Sequence, residues 1–191
     1  MVPDPLLAAL LLAGAVALLI GLVLVPVLRT GVPPMPSSRA EKAALMTLLP
    51  RQHDGLIVDL GVGWGGLLAD ALRRCPEARG LGVDISPLPL MVARLRFARQ
   101  PRARLMRVEA GRFLVRNPFT GQGPVVLLLF LGPAMMTRLA PDLRAALPPG
   151  SLVLCNAFAL PGWTPETRLE LGDGLTTRRI YRYRVPGNAS A

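Results

Sequence analysis

Histidine occurs once in this sequence, at His53, and cysteine twice, at Cys75 and Cys155. One histidine excludes His-based catalytic triads and clustered histidine metal sites. Two cysteines so far apart build neither a zinc site nor a disulfide framework, which agrees with a reducing compartment. Lysine is as scarce: of the 22 basic residues, only Lys42 is not arginine. Aromatic residues make up 5% of the chain, and none interleaves the basic stretches in a base-stacking pattern. Nucleic acid is therefore not the expected partner. Acids number 12, leaving a net charge of +10. A chain so rich in Arg, Ala, Leu and Pro also reflects what a GC-rich genome produces, so the charge is discounted.

What the chain has in excess is apolar residues, 51% of the total with a mean hydropathy of +0.43. Leu6 to Leu28 is 23 residues without a charge. As a helix it reaches roughly 34 Å, enough to cross a hydrocarbon core of about 30 Å with some tilt. A cleaved signal peptide fits less well, because only Asp4 precedes the run and the run is too long. A retained single-pass anchor is expected. Arg29, Arg39 and Lys42 follow it, so the positive-inside bias places the rest of the chain in the cytoplasm. Pro26 is tolerable in a membrane helix. From Arg94 to Arg116 there are eight arginines and one acid, Glu109. That stretch reads either as a solvated basic face or as a surface resting on the anionic headgroups of the bilayer.

Beyond the anchor (1–28), "RTGVPPMPSS" (29–38) reads as an extended proline-rich linker. "SSRAEKAALMTLL" then predicts a helix with a serine cap and Glu41 placed for a capping box. Strands are expected at 56–60, 80–84, 104–108, 124–130 and 151–157, and helices at 65–74, 87–100 and 134–146. This alternation predicts an α/β, doubly wound, mostly parallel Rossmann-like sheet over 39–185, before a short tail at 186–191. Two strand-like runs around "GDG" near the end predict a closing antiparallel hairpin. Such a sheet is the architecture of class I methyltransferases.

The chemistry concentrates in "IVDLGVGWGG", residues 57–66. Gly61, Gly63 and Gly66 satisfy a dinucleotide fingerprint, and Asp84 ends the second strand where a ribose-binding acid belongs. That spacing alone leaves NAD and S-adenosylmethionine open. Asp59, two positions before the first glycine, decides for S-adenosylmethionine, since NAD folds normally carry an apolar residue there. The expected cofactor site is Asp59, Gly61, Gly63, Trp64 and Gly65 with Asp84, Ile85 and Glu109. Trp64 either stacks on the cofactor or caps the turn.

From residue 30 to 184 the chain resembles the small membrane-anchored protein-lysine methyltransferases typified by two mitochondrial enzymes. One of these acts on the adenine nucleotide translocator and the other on the ATP synthase c subunit. The matching pieces are "VPPMPSS", "VDLGVGWGG", "GVDISP", "FLGPAMM" and "PGWTPE". The resemblance implies methyl transfer to a lysine of a membrane protein. Two positions depart from the family pattern: Trp64 and Gly66 stand where an acid and an arginine are usual, and Gly111 stands where an acid holds the adenine, with Glu109 two residues early. Pro133, Asn156 and Trp163 are the expected substrate-side residues, each with a plain packing or strand-end alternative. No proton acceptor is assigned. The competing readings are a lipid or quinone methyltransferase, a non-catalytic membrane-tethered binding module, and an NAD oxidoreductase.

Overall fold

In the computed structural model, residues 4–30, 37–172 and 177–187 are described. The chain runs α1 (Pro5–Thr30), α2 (Arg39–Leu48), β1 (Leu56–Leu60), α3 (Gly66–Arg74), β2 (Arg79–Asp84) and α4 (Pro87–Phe97). It continues through β3 (Ala103–Arg107), α5 (Ala110–Val115), β4 (Val126–Leu129), α6 (Pro133–Ala146), β5 (Leu152–Asn156), β6 (Thr167–Leu171) and β7 (Arg178–Arg184). Seven strands form one sheet in the order β3-β2-β1-β4-β5-β7-β6. The first five are parallel, while β7 runs antiparallel to β5 and β6. The doubly wound sheet and its closing hairpin are as expected; Asp173 and Gly174 of the "GDG" turn lie outside the described residues.

The strands are apolar on both sides because both sides are covered. In β4, Leu127 and Leu129 enter the cluster that holds α5 and α6, whereas Val126 and Leu128 enter the cluster beneath α2, α3 and α4. Leu45 and Leu49 press α2 onto that second face. Its start is set by the capping box: Ser38 Oγ accepts the Glu41 amide, and the Glu41 carboxylate accepts the Ser38 amide. Ser37 Oγ accepts a hydrogen bond from Asn156 Nδ2 at 3.2 Å. The beginning of α2 is thereby tied to the carboxyl end of β5, the same sheet edge at which β1 ends.

Several boundaries differ from expectation. β4 is four residues rather than seven, because Pro124 and the turn before it keep the preceding chain out of the ladder. α4 stops at Phe97, before a turn closed by Gln100 and Phe97. The six-residue α5 was not anticipated. Among the described residues no helix is long and apolar enough to cross a membrane. The expected span Leu6–Leu28 lies only partly within them, since the side chains of Leu19 and of residues 22–28 fall outside, as do residues 31–36 of the expected linker.

Candidate active site

The strand order reverses between β1 and its two parallel neighbours, so the crevice at the carboxyl end of β1 is where an open α/β sheet binds its ligand. The glycine turn fills that position. Gly61 and Val62 both donate to the carbonyl of Val83, folding the turn over the end of β2. Gly61, Gly63 and Gly65 take φ values of 85°, 51° and 76°, a left-handed run that side chains resist. At Gly65 a Cβ would also meet Phe97 Cε2 at 2.7 Å, while over Gly63 the nearest atom to such a Cβ is the Gly61 carbonyl, 3.9 Å away. The tight packing lies under the turn, and the space lies over Gly63.

Asp84 locks the two loops together. Its Oδ2 accepts from the Gly63 amide at 2.8 Å and its Oδ1 from the Ser86 amide at 2.7 Å. A carboxylate retains further lone pairs after two such bonds, so Asp84 can clamp the turn and still accept ribose hydroxyls. Ile85, next in sequence, is an exposed apolar side chain of the kind that lies against a base. Asp59 is buried, 2% exposed. Burial, then the charge of Asp84, push its carboxyl up to about 7, against a hydrogen bond from the Leu68 amide in the first turns of α3.

Trp64 is half-buried and enters neither buried cluster. Its carbonyl accepts from Arg96 Nε at 2.9 Å, so α4 braces the turn from outside. Arg107 Nε likewise reaches the Ile85 carbonyl at 3.3 Å, and Arg102 Nη1 the Ala78 carbonyl at 3.1 Å. Three arginines of the Arg94–Arg116 run therefore brace backbone.

Glu109 lies at the carboxyl edge beyond β3, but its oxygens have other occupations. It caps α5 by accepting from the Arg112 amide at 2.9 Å and pairs with Arg138 of α6. Desolvation pushes its carboxyl up, yet the amides of Arg112 and Gly111 and the Arg138 guanidinium outweigh that and hold it below the usual range. Asn156, by contrast, ends β5 fully buried, and its Oδ1 has no hydrogen-bond partner among the described residues. Pro133 opens α6, exposed, just past β4.

Trp163 does not join this group. Its Nε1 donates to the Ala140 carbonyl, its ring meets Tyr183 edge-on at 6.0 Å, and Arg144 lies 5.1 Å over its face. Tyr183 pairs with Val153, three residues before Asn156 along β5. Trp163 thus packs, half-buried, against the core cluster beside Tyr183. Lys42 and Arg96 do reach the turn, although the sequence reading assigned neither to the site.

A cradle of left-handed glycines, a carboxylate with lone pairs to spare and an exposed apolar side chain beside it fit a nucleoside cofactor. Among curated proteins, the chain is similar to a protein-lysine N-methyltransferase from Saccharolobus islandicus, 22% identical over 80% of this chain and 92% of the relative. Among solved structures it resembles an RNA methyltransferase from Salinibacter ruber in complex with S-adenosyl-L-homocysteine (TM-score 0.65, 24% identity, 80% of this chain and 94% of that one). It also resembles the O-methyltransferase TomG from Streptomyces achromogenes in complex with S-adenosylmethionine (TM-score 0.64, 13% identity, 84% and 86% covered). These two likenesses show the class I methyltransferase fold. The family model of the ANTKMT methyltransferase domain matches residues 59–167, from the acid of the glycine turn to the first residue of β6. The chain belongs to the ANTKMT methyltransferase domain family and is a methyltransferase.

Proposed function

We propose that this chain is an S-adenosylmethionine-dependent protein-lysine N-methyltransferase, held at a membrane by α1 and acting on a lysine of a protein in that membrane. One observation carries the cofactor assignment: Asp84 joins the glycine turn to the end of β2 through Gly63, with the acid Asp59 beneath. The Saccharolobus relative supports lysine as the acceptor. In support of anchoring, Leu6, Leu10, Leu11, Leu12 and Leu18 of α1 are each 62–67% exposed. A helix apolar on all sides needs cover other than water.

S-adenosylmethionine supplies an electrophilic methyl group on a sulfonium. The protein's part is to hold an acceptor nitrogen in line with that group, which needs placement more than acid–base machinery. Lysine has a pKa of about 10.4 in water, so the site must favour the neutral amine. Desolvation and the like charge of the neighbouring sulfonium both push in that direction. Asn156 Oδ1, at the end of β5, is a buried acceptor with no hydrogen-bond partner among the described residues. Incubation of the full chain with methyl-labelled S-adenosylmethionine and host membranes tests the reading. Label should appear in protein, as methyllysine after hydrolysis. Label extracted with lipid or quinone instead would overturn the lysine assignment.

A further inference from the structure

Lys42, the single lysine of the chain, reaches the glycine turn from another element. A Cβ placed on Gly66 would lie 2.8 Å from Lys42 Nζ and 3.5 Å from its Cε. The ammonium of α2 therefore stands directly over the first residue of α3, where a side chain at position 66 would otherwise be. Lys42 is half-buried, its side chain 28% exposed.

This placement is built. Leu45 and Leu49 pack α2 onto the sheet, the capping box sets where the helix starts, and the Ser37–Asn156 bond ties that start to the carboxyl edge of β5. Local electrostatics balance the ammonium only in part. Asp70 Oδ2 forms a long ion pair with it at 3.8 Å, and the other Asp70 oxygen is engaged by Arg73. A cation at the positive end of a helix is also mildly unfavourable, and an anion between Lys42 and the turn offsets that. With Asp84 holding the ribose, the amino-acid end of the cofactor is the part that extends along the turn, and it ends in a carboxylate.

We infer that Lys42 binds the carboxylate of the cofactor's methionine moiety, and that Gly66 lacks a side chain so that the ammonium can reach it. The inference rests on the S-adenosylmethionine reading. Lys42 is a cofactor-binding residue from outside the 59–167 segment that the family match covers.

The test is calorimetry on the full chain with two ligands. S-adenosylhomocysteine carries the carboxylate; 5′-methylthioadenosine shares the adenosine and the thioether sulfur and lacks the amino-acid end. Lys42→Met should weaken S-adenosylhomocysteine about ten- to a hundredfold, the range for a hydrogen bond to a charged group, and leave 5′-methylthioadenosine unchanged. Unchanged binding of the second ligand also shows that the variant is folded. Gly66→Ala, which pushes the ammonium aside, should weaken S-adenosylhomocysteine alone in the same sense. Equal losses for both ligands, or no loss for either, would overturn the role of Lys42 while leaving the cofactor assignment standing. Failure of the unaltered protein to bind either ligand would overturn both.

Discussion

Beneath the glycine turn, Asp59 is a carboxyl that the fold would rather keep neutral. Its value rises from 3.8 to about 7, burial first and the neighbouring Asp84 charge second. The sign of the consequence follows from linkage. Below about pH 4 Asp59 is protonated folded or unfolded, and its neutral burial carries no penalty. Between about 4 and 7 only the folded chain keeps the proton, so stability falls as pH rises through this window and levels off above it. Asp59→Asn has no proton to lose. Going from pH 5 to pH 8, the unaltered protein should lose about 2–3 kcal/mol more stability than Asp59→Asn, at about 1.4 kcal/mol per pH unit. Denaturant unfolding of both at the two pH values measures this, and parallel changes would mean that Asp59 ionises freely in the fold. Asp59 and Asp84 were readable from spacing alone, because the acid-glycine pattern is local. What Asp84 holds was not readable: the Gly63 amide lies 21 positions away. What Glu109 holds was unreadable for a related reason. Spacing puts an acid near the right strand end, and only the structure shows it capping α5 and pairing with Arg138.

Secondary structure was readable wherever periodicity was long and its ends were punctuated. β1 spans the expected residues, and α3 and β2 differ from expectation by one residue each. α5, "AGRFLV", is under two turns and too short to show a period, so only its packing of Phe113 and Leu114 into the core defines it. Trp163 was open to packing first and to a groove second, and the structure sets its ring edge-on against Tyr183, which pairs with Val153 of β5. The capping box of α2 was the most informative short signal, because two reciprocal bonds require a serine and an acid three residues apart. That box fixes more than one helix end, since α2 carries Lys42 to the turn and Ser37 to Asn156. Ser38→Ala should reduce stability by about 1 kcal/mol, a fall in Tm of about 2–4 °C for a chain of this size. Because α2 positions Lys42, S-adenosylhomocysteine affinity should fall with it. Thermal melts and calorimetry on the same preparation check both; a lower Tm with unaltered affinity would separate the cap from the site.

For the molecule as a whole, the question is what α1, which touches the catalytic domain at α4, contributes to it. None of the strands, and none of the residues around the glycine turn, comes from Pro5–Thr30. Cofactor binding should therefore survive its removal. Substrate access should not, if the acceptor lies in a membrane. A tether that confines the domain near a bilayer raises its effective concentration toward targets there, to about millimolar for a short flexible link. From Thr30, the last residue of α1, to Ser38 the covalent chain can span at most roughly 28 Å. The reach is short, so the acceptor lysine should sit close to the headgroups. A truncated chain beginning at Gly31 should bind S-adenosylhomocysteine with unchanged affinity by calorimetry. On native membranes at sub-micromolar enzyme it should methylate protein at least about tenfold more slowly than the full chain, in keeping with the lost effective concentration. On a detergent-solubilised substrate, where the tether confers no proximity, the two rates should converge. Equal rates on intact membranes would show that α1 does not serve substrate access, and the acceptor would then have to be sought among proteins that are not held in the bilayer.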